Sequence, residues 1–271
     1  MYSGTTFRNK SGRLMGVHQR IDRVARRALG QVMVPSTNFP TINEILHFEG
    51  LNGPDGIKRK SPGRDEPWHY IDPTNPDDRA IVDMINDHMH NLTHALIEDN
   101  RQRAAFEAAW MAHAITDGLT PAHHYPLEEK LEELRPGESL ETRNTFRKKL
   151  LMPGKNRRHQ LLNNWEFWGA KGVMTTHLAF ELGVAASLTG HRMEGVGPHE
   201  QDYTRLESEG FEKMFFDALR HVASLGLYDE FHRMGWTRRL ASDTRTILIP
   251  IIVEMVCLAW YECATRAQEQ K

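Results

Sequence analysis

The sequence has few of the features that mark secreted, membrane-embedded or polyanion-coating proteins. It contains only two cysteines, Cys257 and Cys263, whereas a secreted disulfide scaffold needs more of them at other spacings. Its opening residues lack the apolar run of a signal peptide. Its longest apolar run, 247–261, is short for a bilayer and contains Pro250 and Glu254. We therefore predict a cytoplasmic protein without stable membrane insertion, in which 247–261 is a buried core helix.

Strand patterns and internal repeats are also lacking, and helical periodicity takes their place. The segments with a helical pattern are 14–29, 78–117 with a break near Asp99, 165–188, 203–225 and 237–264. With 271 residues and 39% hydrophobic side chains, the chain is long enough for one large domain. The net charge of −2 provides no global attraction for polyanions, so any phosphate must be bound at a local site. We predict an all-α fold, a single-domain multi-helix bundle.

Composition also indicates where the bundle begins and ends. We predict a helical domain over 13–265, preceded by a disordered N-terminus, 1–12, and followed by a C-terminal tail, 266–271. Residues 35–76 contain seven of the thirteen prolines, which predicts a long irregular loop near the N-terminus. Acidic and basic blocks alternate over 127–160, and this pattern is typical of an insertion.

Histidine is the residue type in excess, with fifteen copies, and three of them occur in the segment HAITDGLTPAHH. His113 and Asp117 are four residues apart, so on a helix they share one face. Gly118 and Pro121 then end the helix, and the turn allows His123 to approach the pair. Histidine nitrogens and carboxylate oxygens that converge in this way are ligands for zinc.

Further candidate ligands occur on both sides of this segment. His177 and Glu181 repeat the four-residue spacing on a later predicted helix. Asp55 and His69 lie in the proline-rich loop and could supply ligands from the side. A single His-x3-Asp pair is more typical of a solvent-facing or capping arrangement, but the order of the whole set favours a metal centre.

This order of residues resembles that of the zinc-dependent phospholipase C and fungal single-strand-specific nuclease superfamily, whose members are all-α and contain a trinuclear zinc cluster. Its central pattern is His-x3-Asp-x5-His, with a glycine after the aspartate and a proline two residues before the last histidine. The matching residues in this chain, in order, are His18, Asp55, His69, His113, Asp117, His123, His177 and Glu181. The resemblance spans about 13–190.

The resemblance implies two or three zinc ions. The ligands implied for the first ion are Asp55, His69, His113 and Asp117. The ligands implied for the second ion are His123, His177 and Glu181. A third ion would use His18 and share Asp117. Asp55 is also the implied catalytic residue, which would orient or deprotonate the attacking water.

The resemblance also implies a reaction, the hydrolysis of a phosphodiester or phosphomonoester by metal-activated water. The implied partners are a phosphate-containing small molecule, a lipid headgroup or a single-stranded nucleic acid. The sequence does not choose between a phospholipase-like and a nuclease-like substrate.

The sequence departs from the superfamily pattern at two points. In the secreted relatives the mature chain begins with a tryptophan, whose amino group and carbonyl complete the third zinc site. Here no tryptophan precedes His18, and seventeen residues stand before it. Without processing, we expect the third site to lack its terminal amine, so that the chain holds two zinc ions or a third one weakly. The gap between His123 and His177 is also longer than in those relatives.

Several alternatives remain open for individual residues. His124 competes with His123 for the ligand position, although the Pro-x-His spacing favours His123. His47 could replace Asp55 as a metal ligand. Of the histidines in 88–94, His90 and His94 form another pair that could bind metal, but no carboxylate follows in the order of the superfamily, which favours a solvated or supporting role.

Basic and aromatic residues after the central motif have two readings. The segment 143–158 carries seven basic residues and no acid, which could attract an anionic partner or pair with the acidic residues before it. Trp165 and Trp168 could stack on a base or cover a lipid tail, but tryptophans on a helix are more often part of the core.

Other helical metal proteins fit less well. The sequence contains no His-Asp dipeptide, which argues against an HD-type phosphohydrolase, and no Glu-x-x-His pairs surround these ligands as a di-iron bundle requires. The alternative from a different class is a non-catalytic, metal-stabilised helical domain with a closed structural zinc. A purely structural site needs no ligands from an open loop, so Asp55 and His69 favour a zinc-dependent phosphoesterase.

Overall fold

The structure, a computed structural model, is helical throughout the part of the chain that it describes. The described residues are 1–3, 16–33, 38–56, 70–124, 130, 133–136, 148 and 151–271. No strand occurs among them, so the all-α prediction is confirmed.

The described residues contain eleven α-helices of six or more residues, and we number them in chain order. They are α1 (Val17–Val32), α2 (Ile42–His47), α3 (Ala80–Ile97), α4 (Arg101–Gly118), α5 (Arg157–Trp168), α6 (Val173–Leu188), α7 (Glu200–Glu209), α8 (Phe211–Ser224), α9 (Leu227–Met234), α10 (Arg238–Asp243) and α11 (Ile249–Glu269). Short 3₁₀ turns cover Gly50–Asn52 and Pro121–His123. A π-helical turn, Thr244–Leu248, joins α10 to α11.

The C-terminal helix α11 lies at the centre of the bundle and packs against α1, α3, α4, α7 and α8. Val253, Val256 and Trp260 are fully buried, and the indole nitrogen of Trp260 donates a hydrogen bond to the carbonyl of Ala108 on α4. The stretch 238–269 is long and apolar enough to cross a membrane, but 67% of its most apolar window is buried inside the protein. The prediction of a buried core helix over 247–261 is therefore confirmed.

Glycines and one aspartate decide where the helices break. Asp99 adopts a positive φ of 55° between α3 and α4, at the predicted break. The predicted single helix 165–188 is wrong, because α5 ends at Trp168 and α6 begins at Val173. A Cβ atom at Gly169 would collide with the carbonyl oxygen of Trp165, so this tight turn requires glycine. The predicted helix 203–225 is likewise divided, at Gly210, whose φ is 79°.

Three further boundaries differ from the prediction. Residues 1–3 were predicted to be disordered but are buried against the bundle, whereas 4–12 lie outside the described residues. The predicted loop 35–76 contains α2, whose first turn is stabilised by the Glu44 carboxylate accepting from the Thr41 backbone nitrogen at 2.7 Å. The last helix continues to Glu269, into the predicted tail 266–271. Most of the predicted insertion lies outside the described residues.

Candidate metal centre

Six of the predicted ligands form two compact groups inside the bundle. The first group is His18, His113 and Asp117, and the second is His123, His177 and Glu181. Within each group, one nitrogen or oxygen atom per residue lies within 4.8 Å of the others. All six residues are buried. Because burying an ionisable group is costly without compensation, this concentration of buried histidines and carboxylates indicates a binding site.

The first group joins the end of α4 to the beginning of α1. His113 and Asp117 lie one turn apart on α4, with 3.3 Å between the Nε2 and Oδ2 atoms. His18, in the first turn of α1, stacks its ring on that of His113 with the centroids 4.0 Å apart. Its Nε2 atom lies 3.4 Å from Asp117 Oδ1. The structure thus places His18 in the same group as His113, whereas the resemblance implied that these two histidines bind different ions.

The second group joins the turn after α4 to the middle of α6. Pro121 starts the 3₁₀ turn, and the backbone nitrogen of His123 donates to the carbonyl of Thr120 at 2.8 Å, which directs the His123 ring inward. The Oε1 atom of Glu181 lies 3.1 Å from His123 Nε2 and 3.0 Å from His177 Nε2. One carboxylate oxygen therefore faces two imidazole nitrogens.

Asp117 and the amino group of Met1 connect the two groups. Asp117 Oδ1 lies 3.8 Å from His123 Nδ1, so this carboxylate contacts a histidine of the second group as well as those of the first. The Met1 amino group lies 2.5 Å from Asp117 Oδ1 and 3.5 Å from Glu181 Oε1. The two groups therefore form one continuous polar centre.

Met1 is buried beside the first group, where the predicted third zinc site would lie. The carbonyl oxygen of Met1 lies 2.8 Å from His18 Nε2. The adjacent residues are held by α1, because Val17 donates its backbone N–H to the Tyr2 carbonyl at 2.8 Å and the Gln19 side chain donates to the Ser3 carbonyl at 2.7 Å. The α-amino group and the carbonyl of Met1 therefore both lie at the first group, the amino group on Asp117 and the carbonyl beside His18.

The two predicted loop ligands have different outcomes. The Oδ1 atom of Asp55 lies 3.9 Å from His113 Nε2, so Asp55 borders the first group. Its side chain is 30% exposed, whereas those of His113 and Asp117 are 2% and 3% exposed. Its catalytic role stays a prediction. His69 lies outside the described residues.

The competing histidines are engaged elsewhere. The Nε2 atom of His124 lies 2.9 Å from the Gly118 carbonyl, and burial lowers the pKa of this imidazole to about 4. His47 is exposed, with its ring against that of Phe48. In the 88–94 segment, His88 pairs with the buried Glu107 at 2.5 Å, and the other two histidines are exposed.

Two buried acids behind the first group were not predicted. Glu49 Oε1 lies 3.4 Å from His113 Nδ1, and Glu49 Oε2 accepts a hydrogen bond from the Gly50 backbone. Asp22 lies beneath them, and burial followed by the charge of Glu49 raises the pKa of its carboxyl well above the usual value. Asp22 follows His18 at the same His-x3-Asp spacing as the central motif, so a sequence signal for it existed, whereas Glu49 has none.

An aromatic ring stands behind the second group instead. The ring centroid of Tyr70 lies 5.2 Å from that of His123 and 6.0 Å from that of His177. Tyr70 also packs against a small second core formed by Leu134, Met152 and Phe167. The second group is therefore placed between the main core and this smaller one.

The electrostatic environment differs across the centre. Burial lowers the pKa of His113, but Asp117 and Glu49 outweigh it and raise that pKa well above the usual value. Burial also opposes protonation of the Met1 amino group, yet Asp117 and Glu181 raise its pKa to about 10. Burial raises the pKa values of Asp117 and Glu181, and the Met1 amine and the histidines lower them well below normal. The pKa of His123 is lowered, chiefly by burial.

The donor set fits a divalent metal ion. Each group offers imidazole nitrogens and a carboxylate with a lowered pKa, which are the ligands that zinc takes. The two cysteines are buried on α11, away from this centre, so the described ligands are nitrogen and oxygen only. No protein-family model matches the chain, and no curated protein matches it either.

Proposed function

We propose that this protein is a zinc-dependent phosphoesterase, which hydrolyses a phosphodiester or a phosphomonoester at the centre formed by the two ligand groups. The observation that carries the proposal is the contact between the groups, in which Asp117 Oδ1 lies 3.4 Å from His18 Nε2 and 3.8 Å from His123 Nδ1. Metal pairs roughly 3.5–4 Å apart recur in enzymes that displace groups at phosphorus. The order of the ligands, similar to that of zinc phospholipases C and single-strand-specific nucleases, supports the same reaction.

The residues that would hold the metal follow from the two groups. His18, His113 and Asp117, with Asp55 beside them, would bind one ion, and His123, His177 and Glu181 a second. A third ion would take His18 from the first group and share Asp117, and the carbonyl oxygen of Met1 lies 2.8 Å from His18 Nε2. When bound, zinc neutralises phosphate oxygens and lowers the pKa of a water molecule to about 7.

Among the protein's own residues, Asp55 is placed to accept the proton of the attacking water. Asp55 is 30% exposed and borders His113, so it lies where both solvent and the metal ligands can be reached. We assign Asp55 to accept a proton from the attacking water and to orient that water toward phosphorus. The buried carboxylates of Asp117 and Glu181 remain ionised and keep the histidine rings in place.

The deep burial of the six ligands favours a second candidate, a metal-stabilised helical domain without catalysis. In that case the coordination is closed, and the metal contributes folding free energy only. The exposure of Asp55 distinguishes the two candidates, because a structural site has no use for a carboxylate beside its ligands that water can reach.

The test combines metal content with hydrolysis. We expect protein purified without added metal to contain two or three zinc ions by mass spectrometry, and fewer in His113→Ala. We expect hydrolysis of bis-p-nitrophenyl phosphate, p-nitrophenyl phosphate, phosphatidylcholine or single-stranded DNA, abolished by a chelator and restored by zinc. In Asp55→Asn, kcat should fall by about 10²–10⁴, the usual contribution of a general base.

The matched control is Glu44→Gln, an exposed carboxylate that pairs with Arg101. It should leave both zinc content and kcat unchanged. Bound zinc without hydrolysis of any of these substrates would establish the structural alternative, and a chain without metal would overturn both candidates.

A further inference from the structure

The helix α5 exposes a continuous apolar stripe. Leu161, Leu162 and Trp165 are 72%, 57% and 71% exposed, which corrects the prediction that Trp165 belongs to the core. Their spacing of one, three and four residues places them on one side of the helix. Leu178 on the adjoining helix α6 is also exposed, at 44%. Large apolar side chains that are exposed together mark interaction surfaces.

Basic residues lie next to this stripe, at the N-terminal end of α5. Arg157 and Arg158 are exposed and lie one turn before Leu161 and Leu162, and Lys155 precedes them. Cations in the first turn of a helix are disfavoured by the helix dipole, so these arginines do not serve the stability of α5. The acid on the same helix, Glu166, is paired with Lys130, at 2.6 Å between Oε1 and Nζ.

The opposite side of α5 is anchored, so the stripe is held in a fixed orientation. Phe167 is fully buried in the small core with Leu134 and Met152. The Asn163 side chain donates hydrogen bonds to the carbonyls of Leu134 and Pro153, at 3.0 and 2.8 Å. A helix held in this way presents its outer side chains without the entropic cost of folding on contact.

We propose that the α5 stripe, defined as Arg157, Arg158, Leu161, Leu162 and Trp165, binds the surface of membranes that contain anionic lipids. Arginines beside a patch of leucine and tryptophan match a surface with anionic headgroups above an acyl layer. Tryptophan is favoured at that boundary because its ring is apolar and its N–H is polar. Exposed leucines have no comparable partner on a nucleic acid. The contact is peripheral, since the helix lies on the surface of the bundle.

This inference goes beyond the proposed function and does not depend on it, because membrane binding is measured without catalysis. The helix that carries the stripe is nevertheless connected to the second ligand group through its buried side. Phe167 of α5 and Tyr70 share the small core, and Tyr70 in turn contacts His123 and His177.

The experiment is co-sedimentation of the full chain with vesicles of phosphatidylcholine alone and of phosphatidylcholine mixed with phosphatidylglycerol. We expect binding to the mixed vesicles, weakened by salt, with a blue shift of tryptophan fluorescence that is lost in Trp165→Phe. Replacing Leu161, Leu162 and Trp165 together by serine should abolish binding. The variants Arg157→Gln and Arg158→Gln should each weaken it about fivefold.

The controls separate this surface from the rest of the molecule. Met234→Ser removes an apolar side chain that is 70% exposed on α9, and Arg192→Gln removes an arginine that is 87% exposed, and both should bind vesicles as the unaltered chain does. His113→Ala should also retain binding, which keeps failure of the metal centre distinct from failure of the surface. Circular dichroism checks that each variant is folded.

Two results would overturn the proposal. One is a folded chain that binds neither vesicle, or that binds with an affinity indifferent to the stripe variants. The other is a dimer in analytical ultracentrifugation that the serine variant converts to monomer, without vesicle binding, which would assign the stripe to a second copy of this chain.

Discussion

The two ligand groups of the candidate metal centre offer the same types of donor but differ in what lies behind them. Behind the first group is a buried carboxylate, with Glu49 Oε1 at 3.4 Å from His113 Nδ1. Behind the second is an aromatic ring, with Tyr70 at 5.2 Å from His123 between ring centroids. A carboxylate behind a histidine favours its cation, whereas an apolar surrounding favours the neutral ring.

This difference determines which side chains carry a proton in each ligand group, or half of the centre, when no metal is bound. The pKa of His113 is raised, by Asp117 and Glu49 against the effect of burial, so a proton takes part in the first half. The pKa of His123 is lowered by burial, and its contact with Glu181 is that of a neutral ring. Metal binding at the first group would therefore displace the proton of His113, whereas His123 in the second group is neutral before metal binds.

The largest effect is expected from a substitution of Asp117, which contacts residues of both ligand groups. In Asp117→Asn the carboxylate that contacts His113, His123 and the Met1 amine is lost. We expect the zinc content to fall to zero in both groups and the free energy of unfolding to fall by about 3–5 kcal/mol, the cost of breaking a buried ion pair. Mass spectrometry and urea unfolding measure the two effects.

Asp83→Asn is the control for this variant, because Asp83 is an exposed carboxylate on α3 that pairs with Arg79, the residue before that helix. It should change the free energy of unfolding by no more than about 0.5 kcal/mol. Retention of zinc in both groups of Asp117→Asn would show that Asp117 does not connect the two halves.

The next effect separates the halves from each other. His113→Ala and His177→Ala each remove one histidine from one group, so each should lose one zinc ion and keep the other. Because His113→Ala removes the imidazole nitrogen that lies 3.4 Å from the buried Glu49 Oε1, it should lower the free energy of unfolding by about 1–3 kcal/mol more than His177→Ala.

The control for this pair is His90→Ala, an exposed histidine on α3, which should keep all zinc and full stability. The interpretation is contradicted by loss of all zinc in both variants, since the groups would then bind metal only together.

A smaller effect is expected from the supporting carboxylate. Glu49→Gln keeps the shape of the side chain but removes the charge that orients His113. Loss of such a partner lowers metal affinity by about 10–100-fold, and we expect this for the first group only. Zinc titration against a competing chelator measures it, with Glu44→Gln as the control. Equal weakening of both groups would indicate a general loss of packing instead.

The last prediction concerns the smallest change to the protein, a change of pH without any substitution. The raised pKa values of His113 and of the Met1 amine, the latter about 10, mean that both groups carry protons near neutral pH. The affinity of the first half should therefore rise with pH, by about tenfold per pH unit for each proton released. The slope for the second group should be smaller, because the pKa of His123 is lowered and its ring is already neutral. Chelator competition at several pH values gives both slopes, and equal slopes would remove the distinction.

Local spacing was sufficient for much of the candidate site. His113 with Asp117 and His177 with Glu181 are four residues apart, so forming the helix brings each pair together whatever the rest of the chain does. The turn that follows α4 was likewise readable from Gly118 and Pro121. Asp22 was missed although it shares this spacing with His18.

Other members of the site were beyond local reasoning. Glu49 approaches His113 across 64 residues of sequence, and no pattern links the two. The entry of Met1 between Asp117 and Glu181 depends on hydrogen bonds from Val17 and Gln19 to the first three residues. The break between α5 and α6 was not predicted, because both segments have apolar residues at helical spacing. The turn that separates the two helices is short and depends on Gly169.

The sequence by itself determined the helical class, the buried C-terminal helix and the pairs of ligands on α4 and α6, because these depend on periodicity over one or two turns. The tertiary structure alone decided which pairs meet, that Glu49 stands behind one half and Tyr70 behind the other, and that Leu161, Leu162 and Trp165 face outward. The physical reason is the same in each case: helix periodicity states which side chains share a face, but only packing between helices determines what that face meets.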